Sequence, residues 1–282
     1  MTYNALWHRL TPFYSDGEAK AIVRWVLQQT FGLSLADVLC GKVNELSAEQ
    51  VDFLEEIMLR LETGEPMQYV VGYEEFCGLT FKTDRRALIP RPETEELCRL
   101  IIASRNEGGL SQEKFSVLDI CTGTGCIAVT LAKEWADAQV TAWDLSDDAL
   151  SLAQENAHRC GVAVDFERKD ALHIETEQRQ WDLIVSNPPY VCESEKQAMA
   201  VNVLQYEPAM ALFVPDDDPL RFYRAIGQFA ADCLKPHGML WFEINKAYGG
   251  EVCALLEKLH FIDVEMMNDS FGNVRFVKAM HP

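Results

Sequence analysis

The chain has 282 residues, of which 48% are hydrophobic and 24% charged, an ordinary composition for a protein with one large and one small domain. No apolar run is long enough to cross a bilayer, and the first residues lack the basic and apolar regions of a signal peptide, so we expect a cytoplasmic protein with no membrane association. A formal net charge of −19 argues against sequence-independent binding of nucleic acid, which requires Lys and Arg against phosphates.

The nine cysteines are scattered and form no CxxC pair. Their odd number and their places inside apolar segments, as at Cys98 and Cys233, indicate reduced and packed thiols. The spacing of Cys121 and Cys126 is not that of zinc ligands, and no metal site is predicted.

Residues up to about Val71 show mainly helical patterns. Apolar residues recur at helical spacing over 19–27, and Ser47 with Gln50 forms a capping box that opens a helix running to about Glu62. We therefore predict a small helical bundle over 1–72 that contacts a partner protein. A purely stabilising role fits the same pattern equally well.

A linker is predicted between this bundle and the rest of the chain. Two β-rich segments at 69–73 and 76–81 predict a hairpin, and the prolines within 88–92 predict an extended loop. We place the linker at 73–92 and the second domain at 93–282.

Strand-like and helix-like segments alternate from residue 115 onward. Strands are predicted at 115–120, 139–144, 162–167, 182–186, 239–243, 261–266 and 273–279. This alternation is typical of an α/β fold with a doubly wound, mainly parallel, Rossmann-like sheet, in which ligands bind at the carboxyl ends of the strands.

A glycine-containing loop, from Asp119 to Cys126, joins the first of these strands to its helix. No Gly-Lys-Ser/Thr follows, so it is not a phosphate loop, and Ala128 stands where a dinucleotide fingerprint has its third glycine after Gly123 and Gly125. Asp119 would attract the amino group or the sulfonium of an amino-acid-like cofactor and repel a pyrophosphate.

Two further carboxylates follow the next strands. Asp144 lies about twenty residues after the glycine loop, where a carboxylate accepts hydrogen bonds from ribose hydroxyls. Asp170 follows the third strand, where it could reach an adenine amino group or simply form a turn. Adenosine-binding carboxylates without a pyrophosphate loop predict S-adenosylmethionine as the cofactor.

The motif Asn187-Pro188-Pro189-Tyr190 follows the fourth strand. Two prolines stop the strand in a stiff turn at the ligand-binding edge. The N–H bonds of a planar amide or amine can donate to the Asn187 side-chain oxygen and the Pro188 carbonyl, which orients the nitrogen toward an electrophile. Tyr190 could stack on a flat substrate or face a sulfonium. These four residues alone fit a plain Pro-Pro loop as well, but beside the cofactor carboxylates they predict a nitrogen methyltransferase.

Nearly the whole chain resembles the peptide chain release factor N5-glutamine methyltransferases. The most discriminating segment is 89–95, Ile-Pro-Arg-Pro-Glu-Thr-Glu, which adenine-directed DNA methyltransferases do not share although they have Asn-Pro-Pro-Tyr. The other matching segments are 64–69 with Gly72 and Phe76, 119–125, 187–190, 206–208 and 269–275.

The resemblance implies an N-terminal helical bundle, a hairpin linker and a class I methyltransferase domain. It implies methyl transfer from S-adenosylmethionine to the glutamine of the Gly-Gly-Gln motif of release factors, the expected protein partners. It assigns catalysis to Asn187, Pro188 and Tyr190, with Pro189 and Arg91 also near the substrate. The residues it implies for the cofactor are Asp119, Cys121, Thr122, Gly123, Thr124, Gly125, Asp144, Asp170, Ala171 and Asn187.

The sequence departs from the family pattern at a few positions. The family usually has glycine where Cys121 stands, an aromatic residue often occupies the position of Ala171, and glycine is common where Asn245 follows a Glu-Ile pair. None of these departures falls within the Asn-Pro-Pro-Tyr motif.

Two other functions fit parts of the pattern. An adenine N6 methyltransferase acting on nucleic acid would use the same motif, but the acidic composition and the absence of a basic face argue against it. A catalytically silent cofactor-binding scaffold would keep the domain order, but the intact motif argues against lost catalysis.

Overall fold

The structure is a computed structural model that describes residues 1–107, 115–175 and 178–282. The α-helices are α1 Tyr3–Leu10, α2 Asp16–Phe31, α3 Leu35–Leu39, α4 Ala48–Leu61, α5 Met67–Val71, α6 Pro92–Glu107, α7 Cys126–Glu134, α8 Asp147–Cys160, α9 Val201–Tyr206, α10 Arg221–Cys233 and α11 Gly249–Lys258. The strands are β1 Tyr73–Phe76, β2 Leu79–Lys82, β3 Ser116–Ile120, β4 Gln139–Asp144, β5 Asp165–Arg168, β6 Trp181–Ser186, β7 Val191–Cys192, β8 Phe213–Val214, β9 Leu234–Glu243, β10 Ile262–Asn268 and β11 Val274–Met280.

The chain divides into two compact units. Met1–Tyr73 and Ala200–Tyr206 form the N-terminal unit, and Glu74–Met199 with Glu207–Pro282 form the sheet unit. The boundaries predicted at 72 and 92 stay a prediction. Among the helices within the described ranges, none is both long and apolar enough to span a bilayer.

The N-terminal unit is a group of capped helices around an apolar core. The side chains of Ser15 and Ser47 accept hydrogen bonds from backbone N–H groups in the first turns of α2 and α4, which satisfies donors that the helices leave free. The helices bury a shared core that includes Leu27, Leu54 and Met58. These N-terminal helices confirm the predicted bundle.

The strand predicted at 69–73 is wrong over most of its length, because the segment up to Val71 is the helix α5. Pro66 precedes this helix with φ −53°, and Gly72 ends it with φ 86°. Arg60 donates to the carbonyls of Tyr69 at 3.0 Å and Val70 at 3.1 Å, so the C-terminal end of α5 is capped from α4. This tertiary contact outweighs the β preference of the residues involved.

The sheet unit is built on a mostly parallel sheet. In the described chain the strand order is β10-β11-β9-β6-β3-β4-β5. The five strands from β9 to β5 are parallel to one another, and β11 runs antiparallel to both of its neighbours, β9 and β10. This order confirms the predicted doubly wound α/β fold. From β3 the chain adds β4 and β5 on one side and then β6 and β9 on the other. The order of the strands therefore reverses between β3 and β6, and folds of this kind bind ligands at that point.

Alternate residues of β3 face opposite layers of helices. Leu118 and Ile120 pack in a cluster with Tyr223 of α10, whereas Val117 packs in a cluster with Ile127 of α7. Because side chains alternate along a strand, Asp119 shares the face of Val117 and lies beneath α7.

Candidate active site

The parallel strands bring their carboxyl ends to one edge of the sheet. Ile120 at the end of β3 is in register with Ser186 of β6 and with Trp143 of β4, and Ser186 is in register with Phe242 of β9. The residues that follow these positions therefore begin side by side. They are Cys121, Asn187, Asp144 and Glu243.

A cavity opens at this edge, with about 1090 Å³ of empty space including its open mouth. Ten of the residues predicted for the site line it, namely Arg91, Cys121, Thr122, Gly123, Thr124, Asp144, Asp170, Ala171, Asn187 and Pro189. Asp119, Gly125, Pro188 and Tyr190 lie outside this lining. The sequence did not identify several other lining residues, including Thr94, Leu145, Lys169, Met210 and Phe222.

The glycine loop takes a tight course into the cavity. Cys121, Gly123 and Gly125 all have positive φ, at 65°, 55° and 79°. This region favours glycine, so Cys121 carries strain of about 1–2 kcal/mol that a glycine at this position would avoid. A Cβ on Gly125 would lie 3.0 Å from the Cβ of Ala153, so this glycine lets the start of α7 approach α8 closely.

Asp144 connects this loop to the end of β4. Its Oδ2 accepts from the backbone N–H of Gly123 and its Oδ1 from that of Ser146, both at 2.9 Å. Burial raises the pKa of Asp144, and these backbone donors oppose the rise. Each oxygen keeps a lone pair, so the carboxylate can accept hydrogen bonds from a ligand's hydroxyl groups.

Asp170 both forms a turn and lines the cavity. Its Oδ1 accepts from the backbone N–H of Leu172 at 2.9 Å, and its Oδ2 lies 2.7 Å from Nδ1 of His173. Burial works to raise the pKa of Asp170, but the bonds from His173 and Leu172 outweigh it and lower the pKa. The turn and the cofactor contact proposed from sequence are thus compatible at this residue.

Asp119 is fully buried below the loop. Its Oδ2 accepts from the Thr122 hydroxyl at 2.6 Å and from the backbone N–H of Ala128 at 3.2 Å. Its Oδ1 is buried and accepts no hydrogen bond from the described residues. Burial raises the pKa of Asp119 to about 7, against the effect of the two donors. Asp119 therefore ties the loop to α7 from beneath.

The Asn-Pro-Pro-Tyr motif is hydrogen-bonded to two residues from distant parts of the chain. Asn187 Nδ2 donates to Thr94 Oγ1 at 3.1 Å, and the Thr94 hydroxyl donates to Glu243 Oε2 at 2.7 Å. The Tyr190 hydroxyl donates to the other oxygen of Glu243 at 3.0 Å. Burial raises the pKa of Glu243, while the bonds from Thr94 and Tyr190 work against that rise.

The predicted extended loop over 88–92 is held at the cavity by Glu207. The side chain of Glu207 is 1% exposed and accepts from Arg91 Nη2 at 2.6 Å. It also accepts from the backbone N–H of Ile89 at 3.2 Å. The motif containing Glu207 was noted in the sequence without a role, and the structure gives it one as the anchor of this loop.

The cavity has the chemistry of an S-adenosylmethionine site. Gly123 has no side chain at the turn of the loop, where backbone and ligand must approach closely. Asp144 and Asp170 offer acceptors for hydroxyl and amino groups, while Leu145 and Phe222 supply apolar walls. The residues present therefore fit an adenosine with an amino-acid tail.

Two family models match the chain. The PrmC N-terminal domain matches residues 8–72, and the Methyltransferase small domain matches residues 108–212. Together they cover both the helical region and the first half of the sheet region.

Curated relatives match over almost their whole length. A protein of Bacteroides thetaiotaomicron named release factor glutamine methyltransferase is 43% identical over 96% of this chain and 95% of its own. Proteins of the same name from Flavobacterium psychrophilum and Streptococcus pneumoniae are 40% and 39% identical, covering 96% and 93% of this chain and 94% and 92% of their own.

Solved structures share the fold at low sequence identity. A methyltransferase of Pyrococcus furiosus aligns with a TM-score of 0.52 at 17% identity, over 83% of this chain and 98% of its own. A 16S rRNA methyltransferase of T. thermophilus, solved in complex with AdoMet and guanosine, aligns with a TM-score of 0.51 at 18% identity, over 74% of this chain and 50% of its own. These likenesses support the class I methyltransferase fold.

Proposed function

The chain belongs to the release factor glutamine methyltransferase family, and from this premise we propose that it methylates the side-chain amide nitrogen of the glutamine in the Gly-Gly-Gln motif of release factors. The comparisons confirm four predictions from the sequence: the family, the fold, the enzymatic activity and S-adenosylmethionine as the cofactor. The motif within the release factor and the residue roles below are proposals.

Asn187 carries the proposal. Its Oδ1 accepts no hydrogen bond from the described residues, although the side chain lines the cavity and its nitrogen end is bonded to Thr94. A free acceptor at this place suits an amide N–H of the incoming glutamine. The Pro188 carbonyl is proposed as the second acceptor, since proline has no N–H to compete for the same partner.

The proposed mechanism relies on orientation rather than on a strong base. When bound, S-adenosylmethionine would supply an electrophilic methyl group on a positively charged sulfur, and the sulfur–methyl bond would break to leave S-adenosylhomocysteine. Asn187 and Pro188 hold the glutamine N–H bonds so that the amide's electron density faces that methyl group, and the excess proton leaves to solvent. The loop around Arg91, held by Glu207, is proposed to bound the glutamine side chain.

The cofactor roles follow the cavity lining. We propose that Asp144 accepts from the ribose hydroxyls and that Asp170 and Ala171 lie at the adenine. Cys121 to Gly125 would lie at the methionine part. Tyr190 keeps its proposed place near the substrate, although its hydroxyl is already committed to Glu243.

The N-terminal unit is proposed to contact the release factor. It exposes large apolar side chains, among them Leu39 at 70%, Leu59 at 59% and Phe53 at 50%. Contiguous exposed apolar surface marks protein contacts, so these side chains are the first to test as part of such a contact.

The direct test is mass spectrometry of purified, unmethylated release factor after incubation with the protein and S-adenosylmethionine. The expected result is a gain of one methylene unit on the peptide that contains Gly-Gly-Gln. Labelled methyl groups appearing instead in DNA or RNA would contradict the proposal.

Two variants separate the proposed roles. Asn187→Ala is expected to lower kcat about a hundredfold, in the range seen when an oriented group at a reaction centre is removed, and to leave cofactor affinity largely intact. Asp144→Ala is expected to weaken S-adenosylmethionine binding about tenfold to a hundredfold, because it removes a charged acceptor. Calorimetric titration of the cofactor and steady-state methylation of release factor measure the two effects. Unchanged turnover in Asn187→Ala would refute its proposed role.

A further inference from the structure

We propose that Thr94 and Glu243 are positioning residues, which fix the Asn187 side chain with its oxygen toward the substrate. The inference rests on the proposed role of Asn187 in holding the glutamine amide. Neither Thr94 nor Glu243 was predicted as a site residue, and they lie 149 positions apart in the sequence.

The direction of the hydrogen bonds can be derived from Glu243. Its side chain accepts from two hydroxyls, Thr94 at 2.7 Å and Tyr190 at 3.0 Å, one on each oxygen. A carboxylate only accepts hydrogen bonds, so the single proton of each hydroxyl is committed to Glu243. Burial raises the pKa of Glu243, while the two hydroxyl bonds and the positive charge of the nearby Arg275 work against that rise and favour the ionised carboxylate.

The Thr94 oxygen is left only with lone pairs toward Asn187. It must therefore accept, and the Asn187 atom 3.1 Å away must be the donor nitrogen. This assigns the two ends of the amide: Nδ2 is held by Thr94, and Oδ1 is turned away from it. A reversed amide would set an acceptor against an oxygen that has no proton to give.

This orientation matters because the reacting nitrogen of the proposed glutamine substrate presents only donors. The nitrogen of a glutamine side chain carries two N–H bonds, and the proposed site orients it through acceptors. A reversed Asn187 would present its own NH₂ group to that nitrogen, which replaces a hydrogen bond by a contact between two donors.

The arrangement is held by three elements of the sheet unit. Thr94 lies in the first turn of α6 and is 3% exposed, and Glu243 ends β9 and is 1% exposed. Asn187 directly follows β6, the neighbour of β9 in the sheet. Because the Tyr190 hydroxyl donates to the other carboxylate oxygen, both oxygens of Glu243 are held by hydrogen bonds.

The test compares Thr94→Val, which keeps the size of the side chain but removes the hydroxyl, with Thr94→Ser, which restores it. Thr130→Val is the matched control, since Thr130 is 4% exposed and its hydroxyl has no hydrogen-bond partner among the described residues. Each variant is assayed for kcat and KM with release factor, for S-adenosylmethionine affinity by calorimetry, and for thermal unfolding.

We expect Thr94→Val to lower kcat about tenfold to a hundredfold, as for the loss of one oriented hydrogen bond. The KM for release factor and the cofactor affinity should stay within about twofold, because the change acts on the bound amide. Thr94→Ser and Thr130→Val should keep kcat near the wild-type value. If Thr94→Val does not fold, Thr94→Cys replaces it, with a weaker hydrogen-bonding group and an intermediate kcat expected.

The possible failures are distinguishable. Wild-type protein that does not methylate release factor would refute the proposed function itself. Active wild type with unchanged kcat in Thr94→Val, or with an equal loss in Thr94→Ser, would refute the positioning role while leaving the function intact.

Discussion

Asp119 makes the stability of this protein depend on pH in a direction opposite to that of most carboxylates. The side chain is fully buried, one of its oxygens lacks a partner among the described residues, and burial raises its pKa to about 7. Asp119→Asn removes the titrating group while keeping an acceptor for the Thr122 hydroxyl and the backbone N–H of Ala128.

The sign and size of the effect follow from the two pKa values. In the unfolded chain an aspartate titrates at about 3.9, so between there and about 7 the folded state holds a proton that the unfolded state has released. The free energy of unfolding therefore falls as pH rises, by about 1.4 kcal/mol per pH unit and by about 4 kcal/mol over the whole interval. An asparagine at this position has no such dependence.

The assay is urea unfolding of wild type, Asp119→Asn and the control variant Asp182→Asn at several pH values from about 3 to about 8, followed by tryptophan fluorescence. The asparagine NH₂ group costs a roughly constant amount at each pH, so the informative quantity is the change in the stability difference between the two proteins. We expect that difference to move by about 4 kcal/mol in favour of Asp119→Asn as pH rises.

Asp182→Asn provides a control of opposite sign. Burial works to raise the pKa of Asp182, but its bonds from Lys235 and Ser116 lower it overall. The stability that this carboxylate contributes is present above its unfolded pKa and is lost as pH falls below about 4. Parallel curves for wild type and Asp119→Asn would refute the argument for Asp119.

Three further predictions concern the loop, the cavity wall and the partner surface. Gly161→Ala should lower the free energy of unfolding by about 1–2 kcal/mol from its positive φ alone. Gly125→Ala should lower it by about 1–3 kcal/mol more, because the added Cβ also contacts α8. Urea unfolding of the two variants measures the difference. Glu207→Gln should lower stability by about 1–3 kcal/mol and raise the KM for release factor, because the 88–92 loop loses a charged anchor, and an unchanged KM would separate that loop from substrate binding. Phe53→Ser with Leu59→Ser should raise that KM about fivefold to tenfold without changing cofactor affinity, and an equal KM would argue against a contact through this surface.

The sequence predicted the architecture well because its signals are local. Alternating strand and helix segments identify a parallel sheet, and the residues after each strand are then placed at one edge without further information. This is how Asp144 and Asn187 could be assigned to one site from opposite sides of β3. The structure places both in the cavity lining.

The face of the sheet that Asp119 occupies was not predictable in the same way. β3 is buried on both sides, so Val117, Leu118 and Ile120 are all apolar, and the sequence carries no sign of the face toward which each residue points. From the sequence alone, Asp119 is expected to face the cofactor, because it immediately precedes the glycine loop. In the structure it lies under α7 and outside the cavity lining, and a direct contact with the cofactor stays a prediction.

Tertiary contacts were the other feature that the sequence did not predict. Thr94 belongs to a segment that the sequence identified as discriminating, yet its partner Glu243 is 149 positions away and looks like the polar end of an apolar strand. The helix at Met67–Val71 was missed for a similar reason, since the cap from Arg60 is a tertiary contact.

The hydrogen bonds through Thr94 and Glu243 connect the two ends of the Asn-Pro-Pro-Tyr motif. Asn187 donates to Thr94, Thr94 donates to Glu243, and Tyr190 donates to Glu243 from the other side, so the first and last residues of the motif are joined through the same carboxylate. The two prolines between them restrict the backbone, which fixes the separation of the two ends. On this argument the tyrosine hydroxyl contributes to the orientation of the asparagine without touching the substrate. The motif therefore depends on two residues outside it, and a motif match alone does not establish an oriented amide.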